Sequence, residues 1–86
     1  MIKKKVKKVL KYTAIFEPAE EGGYVVYVPS LPGCVTEGDT LEQAMEMVKD
    51  AITGYIVSLK KHNERIPEEN GPSLVSVIDI PIFTAP

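Results

Sequence analysis

The chain has no tryptophan, one cysteine and one histidine among its 86 residues, and each scarcity removes a class of explanation. A lone cysteine, Cys34, permits no internal disulfide, so the fold is not a cross-linked secreted scaffold. The lone histidine, His62, has no second histidine or cysteine near it in sequence, so no metal-ligand spacing exists. Gly22 and Gly23 open a strand pattern rather than a helix, which rules out a phosphate-cradling loop. No apolar run approaches the roughly 20 residues of a membrane-spanning helix. Six lysines crowd residues 1 to 11, but the apolar stretch of about 7–15 residues that makes a signal peptide does not follow them. These absences suggest a small protein of the reducing cytoplasm, without cofactor or metal. A chain this short has room for one domain with a limited core, and self-association is its natural supplement.

Charge is present but unevenly placed. The formal net charge of −2 conceals a basic start and an acidic remainder, in which twelve acids face only Lys49, Lys60, Lys61 and Arg65, a net of −8. Such an imbalance bears on partners and association rates, not on fold. An acidic body disfavours a nucleic-acid platform and suits a basic protein partner. The lysine-rich start lacks arginine and interleaved aromatics, and reads as a solvated end. Its Ile2, Val6, Val9 and Leu10 also permit a short amphipathic turn.

The hydrophobic pattern predicts β-β-β-α-β. Lys11–Phe16 alternates with apolar groups on both faces, as an interior strand does. Glu17-Pro-Ala-Glu-Glu-Gly-Gly23 is a turn, and Tyr24–Val28 returns as a strand rich in β-branched and aromatic residues. Pro29–Gly33 turns the chain again, with Pro32-Gly33 suited to the centre of a type II turn. Cys34–Glu37 is a short third strand. Thr40 is a good N-cap with Gln43 placed to complete a capping box, or Asp39 with Glu42 one residue earlier. Leu41, Met45, Val48, Ile52, Tyr55, Ile56 and Leu59 then form one helical stripe flanked by Ala44 and Ala51, and the helix should stop near His62–Asn63. Leu74–Ile80 reads as a final strand. Two hairpins followed by a right-handed helical crossover set the last strand parallel to the first, in order 3-2-1-4. The expected organisation is a basic segment at 1–10, a domain at 11–80 and a tail at 81–86.

That topology sorts the charges. Glu17, Glu20 and Glu21 meet Glu37, Asp39, Glu42 and the helix start at one pole; Lys60, Lys61, His62 and Arg65 join the lysines at the other. Steering of a basic partner and ordinary helix-end electrostatics both account for this arrangement. Catalysis finds little support. His62 suits the helix C-terminus, and Cys34 suits a small buried hydrophobe. The element order opens like a ribonuclease H-like fold, and Glu46, Asp50 and Asp79 stand near two of its metal-binding positions. Tyr12-Thr13-Ala14-Ile15 supplies no acid to the first strand, so a two-metal nuclease has no central ligand. Met47 and Val57 on the helix and Ile80, Ile82 and Phe83 beyond it are apolar surplus, suited to subunit or partner contacts.

Glu21-Gly-Gly-Tyr24, Pro29-x-Leu31-Pro32-Gly33-Cys34, Thr36-x-Gly38-Asp39-Thr40-x-Glu42-Gln43-Ala44 and Ile66-Pro67 together resemble the HicB-like antitoxin family, with agreement from about Tyr12 to Pro67. Ser30 departs from the acid common there between proline and leucine. The resemblance implies a partial, degenerate ribonuclease H-like fold without nuclease activity. It also implies a partner, a small basic HicA-type toxin that cleaves mRNA and whose active or RNA-binding surface the antitoxin covers. Many relatives add a C-terminal DNA-binding module; this chain ends about six residues after its last predicted strand, and direct DNA binding is not expected of it.

The resulting expectation is an α+β, non-enzymatic antitoxin acting as a homodimer or homotetramer. Glu20, Glu21, Glu37, Asp39 and Glu42 would guide the toxin's approach, Met47 would help close that interface, and Ile80, Ile82 and Phe83 would join subunits. The alternatives are a stand-alone oligomeric binding module and, third, a surviving nuclease.

Overall fold

The computed structural model describes residues 8–85, so the lysine-rich start as far as Lys7 lies outside the described residues. Three strands, β1 (Ile15–Pro18), β2 (Tyr24–Tyr27) and β3 (Val35–Gly38), precede one helix, α1 (Leu41–Lys61). The strands form an antiparallel sheet in the order β1-β2-β3. Val26 stands opposite Phe16 on one side and Thr36 on the other, and Val25 lies between Glu17 and Glu37. Strand alternation therefore turns Phe16, Val26 and Thr36 to one face and Ile15, Val25, Tyr27 and Val35 to the other. The first face receives α1; among the described residues no element covers the second.

The corner between β2 and β3 closes the core from one end. Leu31 N–H donates to Val28 O at 3.0 Å and Cys34 N–H to Leu31 O at 2.9 Å, so two tight turns follow one another. Gly33 takes φ 83°, as the third position of a type II turn after Pro32 demands. The double turn folds Leu31 inward until it is wholly buried beside Val26, Val28, Cys34, Ala44 and Val48. Burial pushes the Cys34 thiol up from its ordinary pKa, which makes it a packing group rather than a nucleophile.

The helix begins and ends on side-chain and backbone caps. Thr40 Oγ1 accepts from Gln43 N–H at 3.1 Å, while Gln43 Oε1 accepts from the Asp39 N–H at 3.0 Å. The capping pair is the expected one, but its return bond reaches one residue before the cap. At the other end Asn63 takes φ 55°, Asn63 N–H donates to Lys60 O and Glu64 N–H donates to Leu59 O, a Schellman termination. The buried seam of α1 is Ala44 and Val48, continued by Ala51, Ile52, Tyr55 and Ile56. It runs to one side of the predicted stripe, leaving Leu41 and Met45 exposed. The cause is a close approach. A Cβ on Gly38 would lie 2.4 Å from Ala44 N, and one on Gly23 would lie 2.5 Å from Gly38 O. Only small residues let β3 and the first turn of α1 meet this tightly, so Ala44 rather than a larger neighbour sits at the contact.

Three expectations are corrected. Leu74–Ile80 is not a strand in this structure: among the described residues the sheet has three strands, not the order 3-2-1-4, and residues 74–85 carry no secondary structure. The chain turns away at Gly71, φ 92°, followed by Pro72, so the apolar alternation beyond finds no ladder among the described residues. With no fourth strand, β1 is an edge strand rather than an interior one. It also starts later than Lys11, because Glu69 accepts the Thr13 N–H at 2.8 Å, a group that a longer ladder would have used. At its other end β1 runs through Pro18, opposite Tyr24, where an edge tolerates a missing N–H.

Candidate partner-binding site

The end of the sheet at which β1 leaves, β2 enters and β3 stops is built from turns. After β1 the chain reverses through Gly22 N–H to Ala19 O and Ala19 N–H to Gly23 O, both at 3.0 Å. Gly22 and Gly23 hold φ 99° and 76°, a conformation closed to most side chains. This reversal sets Glu20 and Glu21 on the rim of a concavity of about 460 Å³ whose other walls include Tyr24, Glu37, Gly38 and Asp39. A neighbouring hollow of about 480 Å³ joins Glu37 and Asp39 to Gln43 and Met47. Four of the sequence-predicted acids thus share one concavity, and Met47 borders two of them. Glu42 stands in the first turn of α1, exposed, outside both hollows.

None of these five acids is paired with a described cation; the ion pairs among the described residues are Lys8–Glu68 and Lys49–Glu46. Carboxylates at the positive end of a helix dipole are locally favourable by a few tenths of a kcal/mol. A basic surface would complement their charge. Beside the acids, the open sheet face carries Ile15, Val25, Tyr27 and Val35, with Val35 59% exposed. Tyr27 Oη donates to Glu17 at 3.0 Å, a bond that raises the Tyr27 pKa. The arrangement is an acidic rim beside an apolar, hydroxyl-bearing sheet, suited to adhesion.

The remaining titratable groups are structural or scattered. His62 caps the helix, its Nδ1 donating to Ser58 O at 2.8 Å. Glu46 is bound to Lys49 on the solvent side of α1, and Asp79 lies on the exposed tail. Among the described residues no three His, Cys, Asp or Glu side chains are gathered as metal ligands. No described helix is long and apolar enough to cross a membrane. Ile80, Ile82 and Phe83, the expected subunit contacts, are exposed by 71%, 83% and 92%.

Glu69 was invisible to the pattern of the chain. It lies in a polar loop, yet its carboxylate accepts from Thr13 N–H, Thr13 Oγ1 and Ser30 Oγ at 2.8–2.9 Å. Tyr12 Oη donates to Pro67 O at 2.5 Å and Lys8 pairs with Glu68. This cluster fastens the chain after the helix to the base of β1 and to the corner. The Thr13 bonds and then the Ser30 bond hold the Glu69 carboxyl below its ordinary pKa of 4.5, against an opposing effect of desolvation.

Residues 12–83 match the HicB_like antitoxin of bacterial toxin-antitoxin system. This chain belongs to the HicB-like antitoxin family. A UPF0150 protein of Thermoplasma acidophilum is 52% identical over 65 residues, covering 76% of this chain and 94% of that protein. Antitoxin HicB 1 of Photorhabdus laumondii is 40% identical over 78 residues, covering 91% of this chain but 50% of the relative. Antitoxin HicB of Escherichia coli is 38% identical over 58 residues, covering 67% of this chain and 42% of the relative. The chain therefore spans nearly all of the archaeal relative and about half or less of the two named antitoxins. The glycine-bounded turn, the Pro-Gly corner and the helix cap described above all fall inside the matched region.

Proposed function

We propose that this chain is a non-enzymatic antitoxin of the cytoplasm that binds and neutralises a small basic, mRNA-cleaving toxin of the HicA type. The observation that carries the proposal is the concavity rimmed by Glu20, Glu21, Glu37 and Asp39, unpaired with any described cation, on a member of an antitoxin family. In this reading the acids, with Glu42, steer the toxin, and Met47 supplies apolar contact at the border of the site. The binding domain spans residues 11–80, with the basic segment 1–10 before it, and the partial ribonuclease H-like outline implied by the family serves only as a scaffold. The protein works as a homodimer or homotetramer, with Ile80, Ile82 and Phe83 at the contacts.

Co-expression with the product of the reading frame adjoining its gene tests the proposal. A small basic protein should co-purify, and growth arrest caused by that protein should be relieved. Charge reversal at Glu20 and Glu37 together should slow association by roughly tenfold at low salt, since steering acts on the on-rate. If nothing basic co-purifies and no growth is rescued, the antitoxin reading fails. A stand-alone oligomeric binding module is then the reading left.

A further inference from the structure

The tail is the least accounted-for part of the molecule. From Leu74 to Phe83 it carries seven large apolar side chains and a single charge, Asp79. Leu74, Val77, Ile82 and Phe83 are each more than four-fifths exposed. The molecule is 73 Å long and has a radius of gyration of 17.3 Å, against about 12 Å for a compact chain of this size. The family match nevertheless runs through residue 83, so the tail belongs to the domain. Its alternation assigns Leu74, Ile78 and Ile80 to one side and Val75 and Val77 to the other, the sequence pattern of a strand that is buried on both faces once paired. Pro81 ends that pattern.

The body lacks what the tail has. Among the described residues β1 is an edge of the sheet, with main-chain groups open to a further strand. Alongside it, between the lead-in to β1 and the second half of α1, lies a groove of about 340 Å³ walled by Leu10, Tyr12, Ile52 and Ile56, with Lys8 and Lys60 at its rim. A strand added to the edge of β1 would lay alternate side chains against this groove and bring its one acid towards two lysines. In the structure the tail does not do so, because Gly71 and Pro72 direct it outward after Glu69 has anchored the chain.

We infer that the tail of one copy adds as a strand to the β1 edge of a second copy, and that the exchange is reciprocal. Both halves of the contact are present in every chain, so a two-fold pair satisfies two vacant edges and two exposed tails at once. The other candidate occupant, a basic toxin, matches the acid rim at the opposite end of the sheet and not this apolar groove. The inference rests on the self-association part of the proposed function and is independent of the toxin, so its test uses the full chain alone.

Light scattering gives the mass, and a sample mixed from differently isotope-labelled copies, unfolded and refolded together, gives contacts between copies. The expected result is a dimer, or an even-numbered assembly of such pairs, with isotope-filtered NOEs between residues 75–80 of one copy and residues 15–17 of another. The Val77→Pro variant, which removes a ladder N–H at a position exposed in the single chain, should keep its helical circular dichroism and dimerise at least tenfold less tightly. A monomer at millimolar concentration overturns the inference. So do NOEs confined to like-labelled copies, which mean closure within one chain, a dimer that Val77→Pro leaves intact, or tail contacts that arise only when the adjoining-frame product is added.

Discussion

Tyr24-Val-Val-Tyr-Val28 and Leu74-Val-Ser-Val-Ile-Asp-Ile80 are similar stretches, short, β-branched and alternating, yet they end in opposite environments. Val26 and Val28 are buried almost completely, whereas Leu74 and Val77 are more than nine-tenths exposed. Composition does not separate them. The first lies between two strands delivered by a glycine turn and a Pro-Gly corner, both within ten residues, and is roofed by a helix. The second follows a helix and the Gly71-Pro72 exit, and among the described residues no neighbouring segment of its own chain pairs with it. An apolar strand is buried by the ladder and the cover that local turns bring to it, and its own hydrophobicity only makes that burial favourable.

The contrast can be broken most severely at its tightest contact. Gly38→Val should destabilise the body by about 3 kcal/mol or more, because the new Cβ meets the Ala44 backbone at 2.4–2.7 Å and overpacking against rigid main chain has no cheap relief. In a domain of this size that lowers the thermal midpoint by more than roughly 10 °C. Leu31→Ala, at the buried tip of the corner, should cost about 2–4 kcal/mol and leave a cavity between β2 and α1; equilibrium urea unfolding measures it.

Smaller effects are expected where the body holds the exit of the tail. Glu69→Ala removes three hydrogen bonds and should cost roughly 1–2 kcal/mol, partial solvent access moderating the loss. The same group predicts a pH dependence with a definite sign. The folded pKa of Glu69 lies below 4.5, as does that of Glu68 beside Lys8. Their stabilisation is therefore complete above about pH 4.5 and is lost as pH falls through the folded values. Melting curves from pH 6 downward should be flat in this contribution until about 4.5 and then decline, and Glu69→Gln should remove part of that decline. The smallest effect belongs to the tail: Ile82→Ser, measured where the chain is dilute enough to be monomeric, should change stability by less than about 0.5 kcal/mol. A large loss there would mean that the tail is packed on its own body.

Much of the architecture was legible from local signals. The Thr40 cap, the helix end near His62–Asn63, the Pro32-Gly33 turn and the antiparallel course of the first three strands each depend on residues within a few positions of one another. The seam of the helix was read less well, because the pattern favours the larger Leu41 and Met45 and cannot register that Gly38 comes close enough to admit only Ala44. The grouping of Glu20, Glu21, Glu37 and Asp39 followed from the hairpin order. The role of Glu69 did not, since its partners Thr13 and Ser30 lie 56 and 39 positions away.

The order of residues alone thus determined the family, the elements from β1 to α1 and the acidic end of the sheet, all through turns, caps and alternation that act over short separations. Only the tertiary structure decided that β1 is an edge, that a carboxylate replaces its first ladder bond and that the last apolar stretch leaves the body unpaired. Those outcomes depend on which distant groups compete for the same hydrogen bonds and the same surface, and that competition is settled in space.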